Sequence, residues 1–326
     1  MINILIICVV VILLITFVFI IGAYYFYKLA IDTSTSKDSV FKNKENLENT
    51  NANNNENTVD KNDKEWFFRN SKYEDVFIDS FDGLNLHGCK IVNHYKTNKW
   101  VIAVHGYDGS SMKMCGRARH FYNMGFNVLV LDLRGHGKSE GNYIGMGWHD
   151  RKDILRWIDY IISKDKDSEI ILYGISMGAS TVMMTCGENL KENVKAAIED
   201  CGYTSVWDQF AYILKYMYKL PEFPIMHIAN IITKIRAKYD FKEASSVKQL
   251  EKNKIPMLFI HGDKDKFVPF NMLKKVYNSA KCEKQILVIE GAEHCKSHKT
   301  NPQLYWSTIS GFLNKYLSCD NDKEII

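Results

Sequence analysis

A chain of 326 residues is long enough for one large domain or two small ones, and 46% hydrophobic with 25% charged residues is the composition of an ordinary globular protein. The formal net charge of +4 is small for this length, and no stripe of Lys and Arg with interleaved aromatics occurs, which excludes an obvious nucleic-acid partner. Of the eight cysteines, seven lie beyond the N-terminal segment at spacings that match neither a zinc site nor a disulfide framework, so reduced thiols are expected.

Residues 2–27 carry no charge and are dominated by Ile, Val, Leu and Phe. About 24 helical residues span about 36 Å, more than a bilayer's hydrocarbon core of about 30 Å. The stretch is too long for the apolar region of a cleaved signal peptide, no basic region precedes it and no A-x-A site comes after it. An uncleaved transmembrane anchor is therefore expected over residues 1–28, with Tyr24, Tyr25, Tyr27 and Lys28 at the interface. Positive charge gathers beyond it, at Lys28, Lys37, Lys42 and Lys44, which favours a cytoplasmic position for the rest of the chain.

Residues 29–65 read as a disordered linker. Nine of the 33 residues in 32–64 are Asn, and such a segment buries too little apolar surface to offset its ordering entropy. Residues 66–318 read as one folded domain, with a C-terminal tail over 319–326. The domain opens with runs 73–81 and 84–92 around Asp82-Gly83, a strong hairpin turn pair. Short apolar runs come next at 100–104, 128–131, 170–173, 196–198, 257–260 and 286–289. Near-continuous apolar runs of this length suit strands buried on both faces of a parallel sheet. Between them, Ile154, Leu155, Ile158, Ile161 and Ile162 mark one face of a helix. The series is βαβ, so the fold class is α/β with a mostly parallel central sheet and helices on both faces.

Ligands of such sheets bind beyond the carboxyl ends of the strands, so the polar residues there carry the functional reading. Gly174-Ile175-Ser176-Met177-Gly178 is a G-x-S-x-G motif between a strand and a helix, the setting that lifts a nucleophilic hydroxyl above a sheet. Ser176 is the expected nucleophile. The strand-end loop His105-Gly106-Tyr107 is placed to donate one oxyanion-hole N–H, from Tyr107, with the other from Met177; His105 is read as structural. After a late strand, Asp263 and Asp265 compete as the acid that orients the base. Asp265 is favoured, and Asp200 is a lesser rival. His294, after the last strand, completes the order Ser, Asp, His as the general base, with His298 the nearest competitor. The stretch Asp132-Leu133-Arg134-Gly135-His136-Gly137-Lys138-Ser139 is read as a turn that stiffens the neighbouring loop, with Asp132 and Arg134 as its anchors.

These residues, with Gly145-Met146-Gly147-Trp148-His149-Asp150-Arg151, Glu199-Asp200-Cys201-Gly202-Tyr203 and His261-Gly262-Asp263-Lys264-Asp265, resemble the α/β-hydrolase superfamily over nearly all of 66–318. Within it they look like a bacterial subgroup of single-anchor serine hydrolases related to the acyl-thioesterase and dipeptidyl-peptidase-like branch. The resemblance implies the triad Ser176, Asp265 and His294, and a helical cap over about 203–250. Cys295 departs from the small residue usual after the base, which bears on how the His294 loop packs.

The expected activity is cleavage of a carboxylic ester or thioester through an acyl-enzyme, with no cofactor and no metal. The expected substrate is a small-molecule or lipid-like acyl compound, and the cap region, rich in Trp207, Phe210, Tyr212, Tyr216, Tyr218, Phe223 and Met226, reads as an apolar acyl-binding lid or as helix packed on the domain. A membrane-tethered peptidase, amidase or acyltransferase is the alternative, and a non-catalytic binding protein on the same fold a lesser one.

Overall fold

The computed structural model describes residues 2–37 and 61–318. A long apolar helix, α1 (Ile2–Ala30), leads to the domain; it is a candidate transmembrane span. Short helical segments α2 (Lys61–Glu65) and Trp66–Asn70 precede the hairpin β1 (Glu74–Asp79) and β2 (Asn85–Ile91). Then come β3 (Lys99–Val104), α3 (Cys115–Asn123), β4 (Asn127–Leu131), α4 (Asp150–Lys164), β5 (Glu169–Ile175), α5 (Met177–Thr185) and β6 (Val194–Asp200). Helices α6 (Val206–Tyr216), α7 (Ile225–Arg236) and α8 (Ser246–Leu250) form an excursion before β7 (Met257–Gly262), α9 (Asn271–Ser279), β8 (Lys284–Ile289), α10 (Ser297–Thr300) and α11 (Pro302–Leu313).

The eight strands form one sheet in the order β1-β2-β4-β3-β5-β6-β7-β8. The first three in that order pair antiparallel and the rest run parallel. Every residue of β3, β4 and β7 is buried, as expected of central strands covered on both faces. The period of two divides their side chains between two cores. Trp100, Ile102 and Val104 join Trp157 and Ile158 of α4 on one face. Val101 and Ala103 join Phe121 of α3 and Phe312 of α11 on the other.

The excursion after β6, called the cap below, consists of the helices α6, α7 and α8 and lies in the segment 203–250 where a cap is expected. Its two feet meet at an antiparallel bridge between Ser205 and Ser245. Each of these serines also caps a helix, accepting from the amides of Asp208 and Lys248.

The expected linker 29–65 is docked on the domain at both ends. Leu29 and Ile31 are buried, Ile144 donates its amide to the Ile31 carbonyl at 2.8 Å, and Asp32 bridges Tyr143. The Lys37 ammonium turns back to the carbonyls of Lys28, Leu29 and Asp32 at 2.6–3.1 Å, satisfying acceptors that a helix end leaves open. At the other end Asp63 pairs with Arg119 at 3.2 Å. The middle of the linker, 38–60, and the tail from 319 lie outside the described residues.

Candidate active site

Ser176 comes directly after β5 and leads into α5, with φ 53° and ψ −118°. A non-glycine residue in this region is strained by about 1–3 kcal/mol, which only the surrounding packing can hold. The flanking glycines make the turn possible. A Cβ at Gly174 would run into the Gly178 carbonyl, and one at Gly178 into the Val104 carbonyl. Helix α5 therefore sits directly against the end of β3, with its first amides beside the serine.

The Ser176 hydroxyl lies 2.8 Å from His294 Nε2, and His294 Nδ1 lies 2.7 Å from Asp265 Oδ2. All three side chains are buried. The second oxygen of Asp265 accepts from the amides of Phe267 and Val268 at 3.0 and 2.8 Å. Burial pushes the Asp265 carboxyl up, but the charge of His294 and hydrogen bonds from His261 and His294 outweigh it and hold the pKa below the usual carboxylate range. Burial opposes charge on His294, yet Asp265 and then Cys295 hold its pKa above the ordinary histidine value.

His261 also belongs to this site, although the sequence did not single it out. Its Nε2 lies 3.0 Å from the Val268 carbonyl and 3.2 Å from Asp265 Oδ2, so one N–H steadies both the carboxylate and its loop. The signal was present in His261-Gly262-Asp263-Lys264-Asp265, because residues i and i+4 across this turn face one another.

The rival residues sit elsewhere. Asp263 accepts from the Gly291 amide at 2.6 Å and is near Lys264. Asp200 accepts from the Tyr305 hydroxyl at 2.9 Å. His298 meets Arg117 at 3.1 Å, and burial with that guanidinium pushes its pKa down to about 2. His105 uses both ring nitrogens, on the Gly106 carbonyl and the Leu133 amide.

The loop carrying Tyr107 runs beside Ser176, since a Cβ at Gly106 would lie 3.3 Å from the Ser176 Cβ. Met177 begins α5 directly after Ser176. The 132–139 turn is knitted in as structure. Asp132 accepts from the amides of Ser111 and Lys138 at 2.6 and 2.9 Å, and Arg134 grips Asp153 at 2.8 Å and Asp82 at 3.0 Å. The Cys295 thiol packs 3.6 Å from that of Cys201.

An apolar pocket opens at Ser176, walled by α6, α7 and the end of α1. Of the apolar cap residues named from the sequence, Phe210, Tyr218 and Met226 line it; Trp207, Tyr212, Tyr216 and Phe223 do not, and Phe223 is 72% exposed. Two groups of ligand-type side chains occur among the described residues, Cys201 with His294 and Cys295, and Asp75 with His87 and Cys89. In both, the histidine spends its two nitrogens on protein partners: Ser176 and Asp265 for His294, Asp132 and Asp75 for His87. Neither group presents an uncommitted imidazole to a metal.

Residues 95–243 match the family model described as serine aminopeptidase, S33. An uncharacterized protein of Bacillus subtilis (strain 168), YqkD, is 29% identical over 238 residues, which cover 73% of this chain and 78% of that protein. The lysophosphatidylserine lipase ABHD12 of Xenopus tropicalis is 25% identical over 167 residues, 48% of this chain and 40% of the lipase. The Pyrococcus furiosus esterase Pf2001 matches with a TM-score of 0.62 at 25% identity, covering 76% of this chain and 94% of the esterase. These neighbours support hydrolase activity, and with the sheet order and the G-x-S-x-G turn they identify the chain as a member of the α/β-hydrolase superfamily.

Proposed function

We propose that the chain is a membrane-anchored serine hydrolase that cleaves a carboxylic ester, or a thioester, through an acyl-enzyme. The reading is carried by the hydrogen-bonded line from Ser176 through His294 to Asp265 at the mouth of an apolar cavity. His294 takes the proton of Ser176 as Oγ attacks the acyl carbon, and Asp265 stabilises the imidazolium. The amides of Tyr107 and Met177 hold the oxyanion, each donor contributing about 2.7–4 kcal/mol. The imidazolium returns its proton to the leaving alcohol or thiol. A water, deprotonated by His294, then attacks the acyl-enzyme and releases the acid.

The family model favours a second reading, an aminopeptidase. Such an enzyme must neutralise the substrate's α-ammonium group, and no Asp or Glu is among the described residues lining the cavity, which are chiefly apolar and aromatic. That lining supports an acyl chain as the ligand. The esterase and lipase among the neighbours agree with it. Anchoring through α1 is supported by its length and the absence of charge over residues 2–27, and a cytoplasmic domain by Lys28 and Lys37 on the domain side.

The test is reaction of the full chain with a fluorophosphonate probe, then a panel of p-nitrophenyl esters, thioesters and aminoacyl amides. Labelling at Ser176 with ester turnover is expected. Labelling with turnover of aminoacyl amides alone would move the assignment to the peptidase.

A further inference from the structure

The apolar helix α1 has two parts with different surroundings. From Ile4 to Ile21 its large side chains are mostly 46–67% exposed. Its last two turns are embedded in the domain, where Ala23, Tyr27 and Leu29 are buried, as is Ile31 just after it. Phe26, Tyr27, Leu29, Ala30 and Ile31 line the same cavity as Ser176. Phe26 packs edge-on against Tyr218 of the cap at 5.0 Å between ring centroids. The Tyr107 hydroxyl donates to the carbonyls of Ala30 and Leu29 at 2.8 and 3.3 Å, so the loop beside the nucleophile is tied to the helix end.

The cap helix that packs on α1 continues this apolar surface. Ile225, Met226 and Ala229 of α7 face the cavity, whereas Ile231 and Ile235, one turn apart, are 56% and 64% exposed. Phe223, just before α7, is the most exposed large apolar residue of the domain at 72%. The Arg236 guanidinium lies 5.3 and 5.9 Å from the ring centroids of Tyr24 and Tyr27, at the depth where aromatic and basic groups mark a membrane boundary. About 23 residues of α1 precede Phe26, a length of about 35 Å that covers the hydrocarbon core. The cavity wall thus begins where the bilayer ends.

We propose that the last turns of α1 are the acyl-binding wall of the site, and that the substrate is a bilayer-resident acyl ester whose chain enters from the membrane face formed by α1, Phe223, Ile231 and Ile235. The inference rests on the serine-hydrolase reading of Ser176 and adds its substrate class. A chain passing from bilayer to cavity never exposes its methylenes to water, which an apolar wall continuous with the span makes possible. Ala30 is the small residue of this wall and Phe26 one of its two large ones, so substitutions at the two should shift the usable chain length in opposite directions.

The test uses the full chain in vesicles of phosphatidylcholine and phosphatidylglycerol, with p-nitrophenyl esters from acetate to dodecanoate. Ala30→Phe should lower the ratio of kcat/KM for dodecanoate over acetate by at least about tenfold, and Phe26→Ala should raise the preferred chain length. Opposite shifts from the two variants distinguish a wall from general damage to the fold. The triple variant Phe223→Ser, Ile231→Ser, Ile235→Ser should lose at least about tenfold on dodecanoate in vesicles relative to the same ester in detergent micelles. Unchanged chain-length profiles in both α1 variants, with acetate still cleaved, would overturn the acyl wall and leave the serine hydrolase standing. Absence of Ser176 labelling and of any ester cleavage in the unaltered chain would overturn both.

Discussion

Replacing Asp265 by Asn changes one oxygen into an amide and tests the proposed chemistry at its most exacting point. The Asn oxygen can still accept from the amides of Phe267 and Val268, as Asp265 does at 3.0 and 2.8 Å, so the loop is retained. The other end of the amide then presents N–H to His294 Nδ1, which sits 2.7 Å from the carboxylate it replaces. An imidazole that accepts at Nδ1 carries its proton on Nε2, the atom 2.8 Å from Ser176, and is no longer a base there. The same N–H also faces the His261 donor at 3.2 Å. The wrong tautomer costs on the order of 10⁴ in kcat, or about 5.4 kcal/mol of transition-state stabilisation.

The pH profile should move with it. Activity requires neutral His294, so the rate rises with pH through that group's pKa, which Asp265 holds above the ordinary histidine value. In Asp265→Asn the residual activity should rise at lower pH. The assay is p-nitrophenyl acetate hydrolysis against pH, with Asp263→Asn in parallel. Asp263 accepts from the Gly291 amide and has no part in the line to Ser176. A larger loss from Asp263→Asn than from Asp265→Asn refutes the assignment of the acid.

Other consequences can be measured separately. Ser176→Ala should abolish fluorophosphonate labelling and lower kcat on the order of 10⁶-fold, read by burst and steady-state kinetics. Arg134→Met strands the buried Asp153 that Arg134 holds at 2.8 Å and should destabilise the domain by about 3–5 kcal/mol in denaturant titration; a loss below about 1 kcal/mol would show the pair to be dispensable. Burial pushes Glu199 up to about 8, so the folded chain keeps a proton that the unfolded chain releases near the ordinary value of 4.5. Its contribution is therefore full below the lower value and is lost as pH rises through about 8, with a limiting slope of about 1.4 kcal/mol per pH unit. Glu199→Gln should flatten the fall of Tm across this window, and parallel curves for the two proteins contradict the burial account.

The sheet was readable because its central strands are covered on both faces, so their apolar runs are continuous and turns bound them. The strand-end positions of Ser176, Asp265 and His294 were readable for a related reason: a parallel sheet sends the ends of its parallel strands to one rim, and polar residues there stand out against apolar runs. The choice between Asp263 and Asp265 needed the loop itself, where two residues of offset turn one carboxylate toward His294 and the other toward Gly291. The docking of Leu29 and Ile31 was not legible, because they continue a span that is apolar all round, which gives no sign of the face that meets the domain, and they are buried only by tertiary contact. Cap aromatics were equally ambiguous. Residue type says that a ring will pack, whereas the helical phase of α6 decides that Gln209, Phe210, Ile213 and Leu214 face the cavity while Trp207 does not.

Because both feet of the cap stand at the Ser205–Ser245 bridge, the segment between them can be exchanged as a cassette without altering a strand of the sheet. Among its attachments to the domain, such a graft would still have to reproduce those from Gln209 to the Phe267 carbonyl and from Tyr212 to the Lys266 carbonyl, each 2.8 Å long. Those carbonyls belong to the loop that carries Asp265. Laboratory swaps that ignore them would alter selectivity and turnover together.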